Sequence, residues 1–392
     1  MTIAPPDPPP ITMSTAAAPP EPLAAPSSRT YARSRLLVGV TGVGSLVVLA
    51  TLALAFGLTR SIPASEGLAT NALILLAGVA AYAVWMTPFD WLGGYVLPKR
   101  YGKSSQTPGR FAAGWLRGVA VQAAVFVAAG TAIIAARNQF GPGYGTAAFA
   151  VLTLVLLAVQ GPLARLVGGL RAVDAVDGCP VLRHEDVGFT GGVAGLLRPR
   201  ILLPRRWTEI LTREELAAVV ERRRRVLDSG GLRNGRLAAA AWNVFGFALC
   251  VHAPAAGCAS AAALAGTVAW FTLWSFLGLL ILPTLSRRAT QAIDQSLPAA
   301  TAAALAAALP KLDASQDDEP SRSPWVETIF HPVPALDARG AAVPKDAPSA
   351  RIPLWHVART AVYLSWAGLN PLSRAVHCNA GRVENWVLLP TD

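Results

Sequence analysis

Thr212-Arg-Glu-Glu-Leu-Ala-Ala-Val-Val-Glu-Arg-Arg-Arg-Arg-Val226 is the stretch that decides how this chain is read. Thr212 is a good N-cap residue and Glu215 stands three positions on, so the stretch opens with a capping box. Leu216, Val219, Val220, Val226 and Leu227 then recur with the spacing of one helix face. Arg223 falls on that same face. An arginine on a buried stripe needs a partner, because an unpaired buried charge is costly.

The surrounding chain is unusually apolar. Of its 392 residues 53% are hydrophobic and only 15% charged, whereas soluble domains carry about 25% charged residues. That composition points to a polytopic membrane protein. In such a protein a net charge of +11 reflects cytoplasmic loops and anionic lipid headgroups. No RNA- or DNA-binding pattern accompanies the charge, which argues against a nucleic-acid partner. Cys179, Cys250, Cys258 and Cys378 form no CxxC pair and imply no disulfide framework.

Residues 1–30, rich in Pro and Ala, are expected to be a disordered tail rather than a signal peptide. Six apolar runs follow, each a candidate membrane span. They are Leu36–Leu58, Leu68–Met86, Gly118–Ala136 (with Gln122 inside it), Thr146–Leu163, Leu237–Ala253 and Ala262–Pro283. The fifth is the weakest, being short and carrying Asn243 and His252. Arginine-rich segments alternate with poorly charged ones. By the positive-inside rule the former are cytoplasmic, which puts both termini in the cytoplasm. The expected plan is four spans in 31–163, a cytoplasmic region in 164–236, two spans in 237–283 and a cytoplasmic C-terminal region in 284–392. Residues 313–350, with their prolines, read as a loop. Residues 354–369 read as a packed or interfacial helix ended by Asn370-Pro371.

Three segments, in order, resemble those of the membrane gluzincins, the HtpX-type, CAAX-prenyl-protease-type and BlaR-sensor-type zinc metallopeptidases. Phe189 to Pro204 is similar to the glycine-containing hairpin that precedes the zinc helix. Leu211 to Val220 is similar to the lead-in to HExxH. Ser286 to Asp294 is similar to the later third-ligand helix. The resemblance covers about 189–300. It implies a mainly α fold with about six transmembrane helices and a small cytoplasmic gluzincin-like α+β domain, and it implies zinc. The chain departs from the family at every ligand. HExxH works because two histidines at i and i+4 share a face and bind the metal while the glutamate acts as base. Here the five positions read Arg222, Arg223, Arg224, Arg225 and Val226, and the third-ligand position reads Thr290. Arginine cannot deprotonate to bind a metal. Asp294 alone matches its counterpart.

These residues support a pseudo-metallopeptidase of the bacterial plasma membrane, without zinc, that binds, senses or assembles with other membrane proteins. In that reading Arg223 replaces the metal's charge by pairing with Asp294. The hairpin around Gly192, Gly195, Arg198 and Ile201 holds an extended peptide by strand addition. Arg222, Arg224, Arg225, Arg233 and Arg236 meet anionic lipid. Two alternatives stand beside it. One is an active metallopeptidase with an atypical ligand set, for which His331, His356 and His377 are the imidazoles on the cytoplasmic side. The other is a structural subunit of a larger membrane complex. His184-Glu185 begins like HExxH but lacks the second histidine.

Overall fold

The computed structural model describes residues 29–168, 170–176, 179–184, 191–194, 199–281, 283–331, 333–341 and 365–387. The chain is mainly helical. Helix α1 (Tyr31–Ala55) starts where the Thr30 side chain accepts from the Arg33 amide. Helix α2 (Leu68–Trp91) runs on through a π-helical turn, Leu92–Val96, to Arg100. Thr107 caps α3 (Pro108–Phe140), with Pro108 at the first helical position, where its missing N–H is no loss. Helix α4 (Pro142–Ala158) bends by 64° into α5 (Gln160–Gly168).

The polar end carries a sheet of β1 (Arg171–Val176), β2 (Cys179–His184), β3 (Gly192–Ala194) and β4 (Arg200–Pro204), in the order β1-β2-β4-β3. Strands β3 and β4 are antiparallel, with Val193 opposite Ile201, and β4 runs parallel to β2. The expected hairpin is therefore the β3–β4 pair, extended on the far side by β2 and β1. Helices α6 (Arg205–Ile210) and α7 (Arg213–Asp228) follow directly. The capping box at Thr212 and Glu215 forms in full. Val181, Ile201, Trp207, Val219 and Leu305 pack together, so the sheet, α6, α7 and α11 (Ala299–Gln316) share one apolar core.

Helices α8 (Gly231–Val251) and α9 (Ala261–Ile281) form a hairpin, and α10 (Pro283–Gln295) brings the chain back beside α7. Among the described residues four helices are long and apolar enough to cross a membrane, or five if the bent α4–α5 pair is one span. The protein is an integral membrane protein. The six-span expectation is reduced on this measure, because α8, the weak fifth run, does not qualify. Arg233, Arg236 and Asn243 dilute its apolar content.

Two stretches differ from expectation in kind. The predicted loop at 313–350 contains the end of α11, then α12 (Pro324–Phe330) and α13 (Leu336–Ala341). Pro324 looked like a breaker, yet Ser323 caps α12 and the proline occupies its first turn. Of the predicted helix at 354–369 only the end is described, and Trp366–Gly368 is a short 3-10 turn closed by Leu369 at φ 47°. Residues 1–28 and the segment 342–364 lie outside the described residues.

The C-terminal residues 365–387 pack inside the helix bundle. Leu372 and Val376 join Val43 and Met86 of α1 and α2, and Trp386 joins Val167 of α5. At their centre Arg374 meets Asp90 of α2, and both side chains are essentially sealed from solvent, at 0% and 1% exposure. Arg374 Nε donates to Asp90 Oδ2 at 2.7 Å and Nη1 donates to Gln122 Oε1 at 3.0 Å. Trp115 Nε1 donates to Asp90 Oδ2 at 3.0 Å, and the Gly381 amide donates to Oδ1 at 2.8 Å. The guanidinium also lies 4.2 Å from the centre of the Trp386 ring.

Breaking a sealed pair leaves a bare charge, which costs about 3–5 kcal/mol. Asp90→Asn and Arg374→Met are each expected to lower the unfolding free energy of the detergent-solubilised protein by about that much. The double variant should lose less than the sum of the singles, as a denaturation cycle would show.

Candidate functional site

The surface of α7 that faces α10 carries the residues at which the family resemblance places a metal. Arg222 and Val226 lie four positions apart, so they share that face. Arg222 Nε sits 2.5 Å from Asp294 Oδ1. Arg339 of α13 reaches the other carboxylate oxygen, with Nε at 2.8 Å and Nη2 at 2.7 Å. Val226 is sealed against Ile293 of α10 and Val193 of β3. Thr290 is wholly buried on α10.

Two guanidinium groups clamp one carboxylate here. Burial by itself would raise the Asp294 pKa, but the charges and hydrogen bonds of Arg222 and Arg339 outweigh it and hold the carboxyl below its ordinary range. A zinc ion does not fit this donor set. The arginines cannot ligate, valine offers no donor, and both oxygens of Asp294 are engaged by cations.

Arg223, one position along from Arg222, turns by about 100° around the helix and points elsewhere. It is 2% exposed. Its Nη1 donates to the Leu202 carbonyl of β4 at 2.8 Å, and its guanidinium lies 4.5 Å from the Trp207 ring centre. The partner of Asp294 is thus Arg222, where the sequence reading put Arg223. Periodicity correctly placed residue 223 on the apolar stripe, but it gave no information on which neighbouring turn faced α10.

The other expected residues separate. Of the proposed groove, Gly195 and Arg198 lie outside the described residues. Gly192 belongs to the terminal strand of the sheet, whereas Ile201 is buried in β4, with strands on both sides. Arg236 of α8 reaches across to the Val193 carbonyl, with Nη2 at 3.1 Å. Of the five arginines expected to meet lipid, Arg222 and Arg236 are buried. Arg224 and Arg233 are exposed, and Arg225 is half-buried, with Nε donating to Glu221 Oε1 at 3.1 Å.

His331 and His377 were separate candidates in the sequence. The fold brings their rings together, tilted by 52° with centres 5.3 Å apart, beside the Asp317–Arg322 ion pair of 3.0 Å and Arg35 of α1. His356 lies outside the described residues, as does Glu185 next to His184. Among the described residues no group of three or more His, Cys, Asp or Glu side chains could hold a metal ion. The Asp90–Arg374 centre was missed altogether. Its one sequence signal was Gln122, a polar residue inside an apolar run.

No protein-family model matches the sequence, and no curated protein does. Among solved structures the chain is similar to Ste24p from S. mikatae, at 14% identity and a TM-score of 0.59, over 76% of this chain and 80% of that one. At that identity the likeness concerns the fold alone.

Burial pushes the His331 pKa down to about 4, and the Arg322 and Arg35 charges add to the effect while Asp317 opposes it. A histidine depressed below its unfolded value of about 6.5 stabilises the fold above that pH. The stability it contributes is lost as pH falls from about 6.5 towards 4. Asp313, raised to about 6 by burial and by Asp317, acts in the opposite sense over part of that range, so the difference between two proteins is the cleaner measure. His331→Gln should flatten the acid loss of stability relative to the parent chain by up to about 1.4 kcal/mol per pH unit. Unfolding curves between pH 7 and pH 4 that superimpose for the two would contradict this.

Proposed function

We propose that this chain is a membrane pseudo-metallopeptidase, a protease scaffold that binds other membrane proteins and does not cut them. Three things support the reading. The fold is similar to that of Ste24p, a CAAX prenyl protease and so a member of one of the families that the segments at 189–294 resemble. Positions 222 and 226 share the helix face turned to α10, the geometry that two i, i+4 ligands and a third-ligand helix need. The observation that carries the proposal is the third. At that place the carboxylate of Asp294 is clamped between Arg222 and Arg339, so fixed cations stand where a metal would.

The same contact bears on topology. Because α7 and α10 touch, the chain between them must cross the membrane an even number of times. Helix α9 is apolar enough to cross, so we place α8 beside it as the return span. The arginine-rich polar end then lies on the cytoplasmic side of a bacterial plasma membrane, in keeping with the positive-inside rule. Exposed Arg224 and Arg233 are left to meet anionic headgroups.

Metal analysis of the purified protein should find no stoichiometric zinc. Peptide and protein hydrolysis should stay at background with or without a chelator. One zinc per chain, or proteolysis that a chelator abolishes, would establish an active enzyme instead.

A further inference from the structure

Residues 365–387 fill the bundle without belonging to any of its long helices. Their regular structure is limited to turns of three to five residues, Trp366–Gly368, Leu372–Ala375 and Val383–Val387. They are held as a peptide is held in a site. The surrounding helices read the main chain. Tyr82 Oη donates to the Pro371 carbonyl at 2.7 Å, Arg35 Nη2 donates to the His377 carbonyl at 3.0 Å, and Asp90 accepts the Gly381 amide. They also read side chains: Asp90 and Gln122 hold Arg374, Tyr31 Oη accepts from Arg382 Nη2 at 2.7 Å, and Gln160 Nε2 donates to Ser365 Oγ at 3.3 Å.

The fit is close at the backbone. A Cβ on Gly94, in the π-helical turn, would overlap the Gly381 main chain, and one on Gly118 of α3 would overlap the Val383 side chain. The charge pair is the informative part. Replacing a sealed ion pair with well-packed apolar groups is often neutral or stabilising. An interior needed only for stability would do as well with leucine and methionine. A fork-shaped cation matched to a carboxylate, an amide oxygen and aromatic faces instead selects what occupies the space.

We propose that the interior of the helix bundle is a receptor site for a compact, turn-forming, arginine-bearing peptide, and that residues 365–387 are its tethered ligand, leaving and rebinding within the folded protein. The inference goes beyond the function proposed above and holds whether or not the arginine helix lacks catalysis. The natural thiol of Cys378 lies in the segment, while Cys250 and Cys258 are buried in the bundle.

The test uses the full chain with Cys179→Ser, Cys250→Ala and Cys258→Ala, so that a maleimide dye modifies Cys378 alone. A synthetic peptide of residues 365–387 carrying Cys378→Ser is then added in detergent solution. By mass action it should compete for the seat and accelerate labelling saturably, by about fivefold or more, with the circular dichroism and Tm unchanged. The same peptide carrying Arg374→Gln should need about tenfold more to act, as loss of one charged contact implies. Gln122→Met in the full chain, which keeps the ion pair, should label faster than its parent. Labelling that ignores the peptide, and rises only when denaturant unfolds the whole bundle, would overturn the proposal, since the segment would then be ordinary core. Equal acceleration by both peptides would overturn it too, since the arginine would not be what is read.

Discussion

The Asp90–Arg374 pair is the constraint around which the bundle is organised. In an apolar interior neither charge is tolerable alone, so the end of the chain has to reach a carboxylate on α2. That requirement draws α1, α2, α3 and α5 around residues 365–387. It explains why Gln122 and Trp115 of α3 point inward, since each completes the coordination of the same two groups. The apolar contacts of Leu372, Val383 and Trp386 then close the remaining space.

The polar end solves a different problem with the same residue type. Arg222 neutralises Asp294, Arg223 spreads its charge over Trp207 and a strand carbonyl, and Arg236 reaches the carbonyl of Val193. Planar guanidinium suits all three tasks, because it stacks on rings and offers several donors at fixed angles. The arginine run on α7 thus supplies two anchors, to α10 and to β4 with α6, and Arg236 of α8 supplies a third, to β3. The same guanidinium groups bind the helices into the domain.

Much of this was legible from local pattern. Thr212 and Glu215 announced the start of α7, and uncharged runs such as Leu36–Leu58 announced spans, because caps and hydropathy depend on neighbours in sequence. The β3–β4 hairpin followed from its glycines and its resemblance to a known segment. Other features were hidden for physical reasons. Arg222 and Arg223 differ by one step around a helix, and only the packing of α10 decides which of them meets Asp294. The prolines at 324 and beyond looked like loop signals because Pro marks helix starts as well as breaks. Ile201 was expected in a strand-adding groove, yet β4 is paired on both sides, with β2 and β3. The Asp90–Arg374 pair spans 284 residues, and nothing local to either residue names the other.

That separation has a consequence for how the protein is made. Ribosomes add about 5–20 residues per second, so the α2 carboxylate enters the lipid roughly 15–60 s before its cation exists. Until then Asp90 lacks the cation that pairs with it in the finished bundle. Any chain that stops short of residue 374 stays in that condition permanently. Closure of the membrane-embedded bundle therefore waits on residues 365–387.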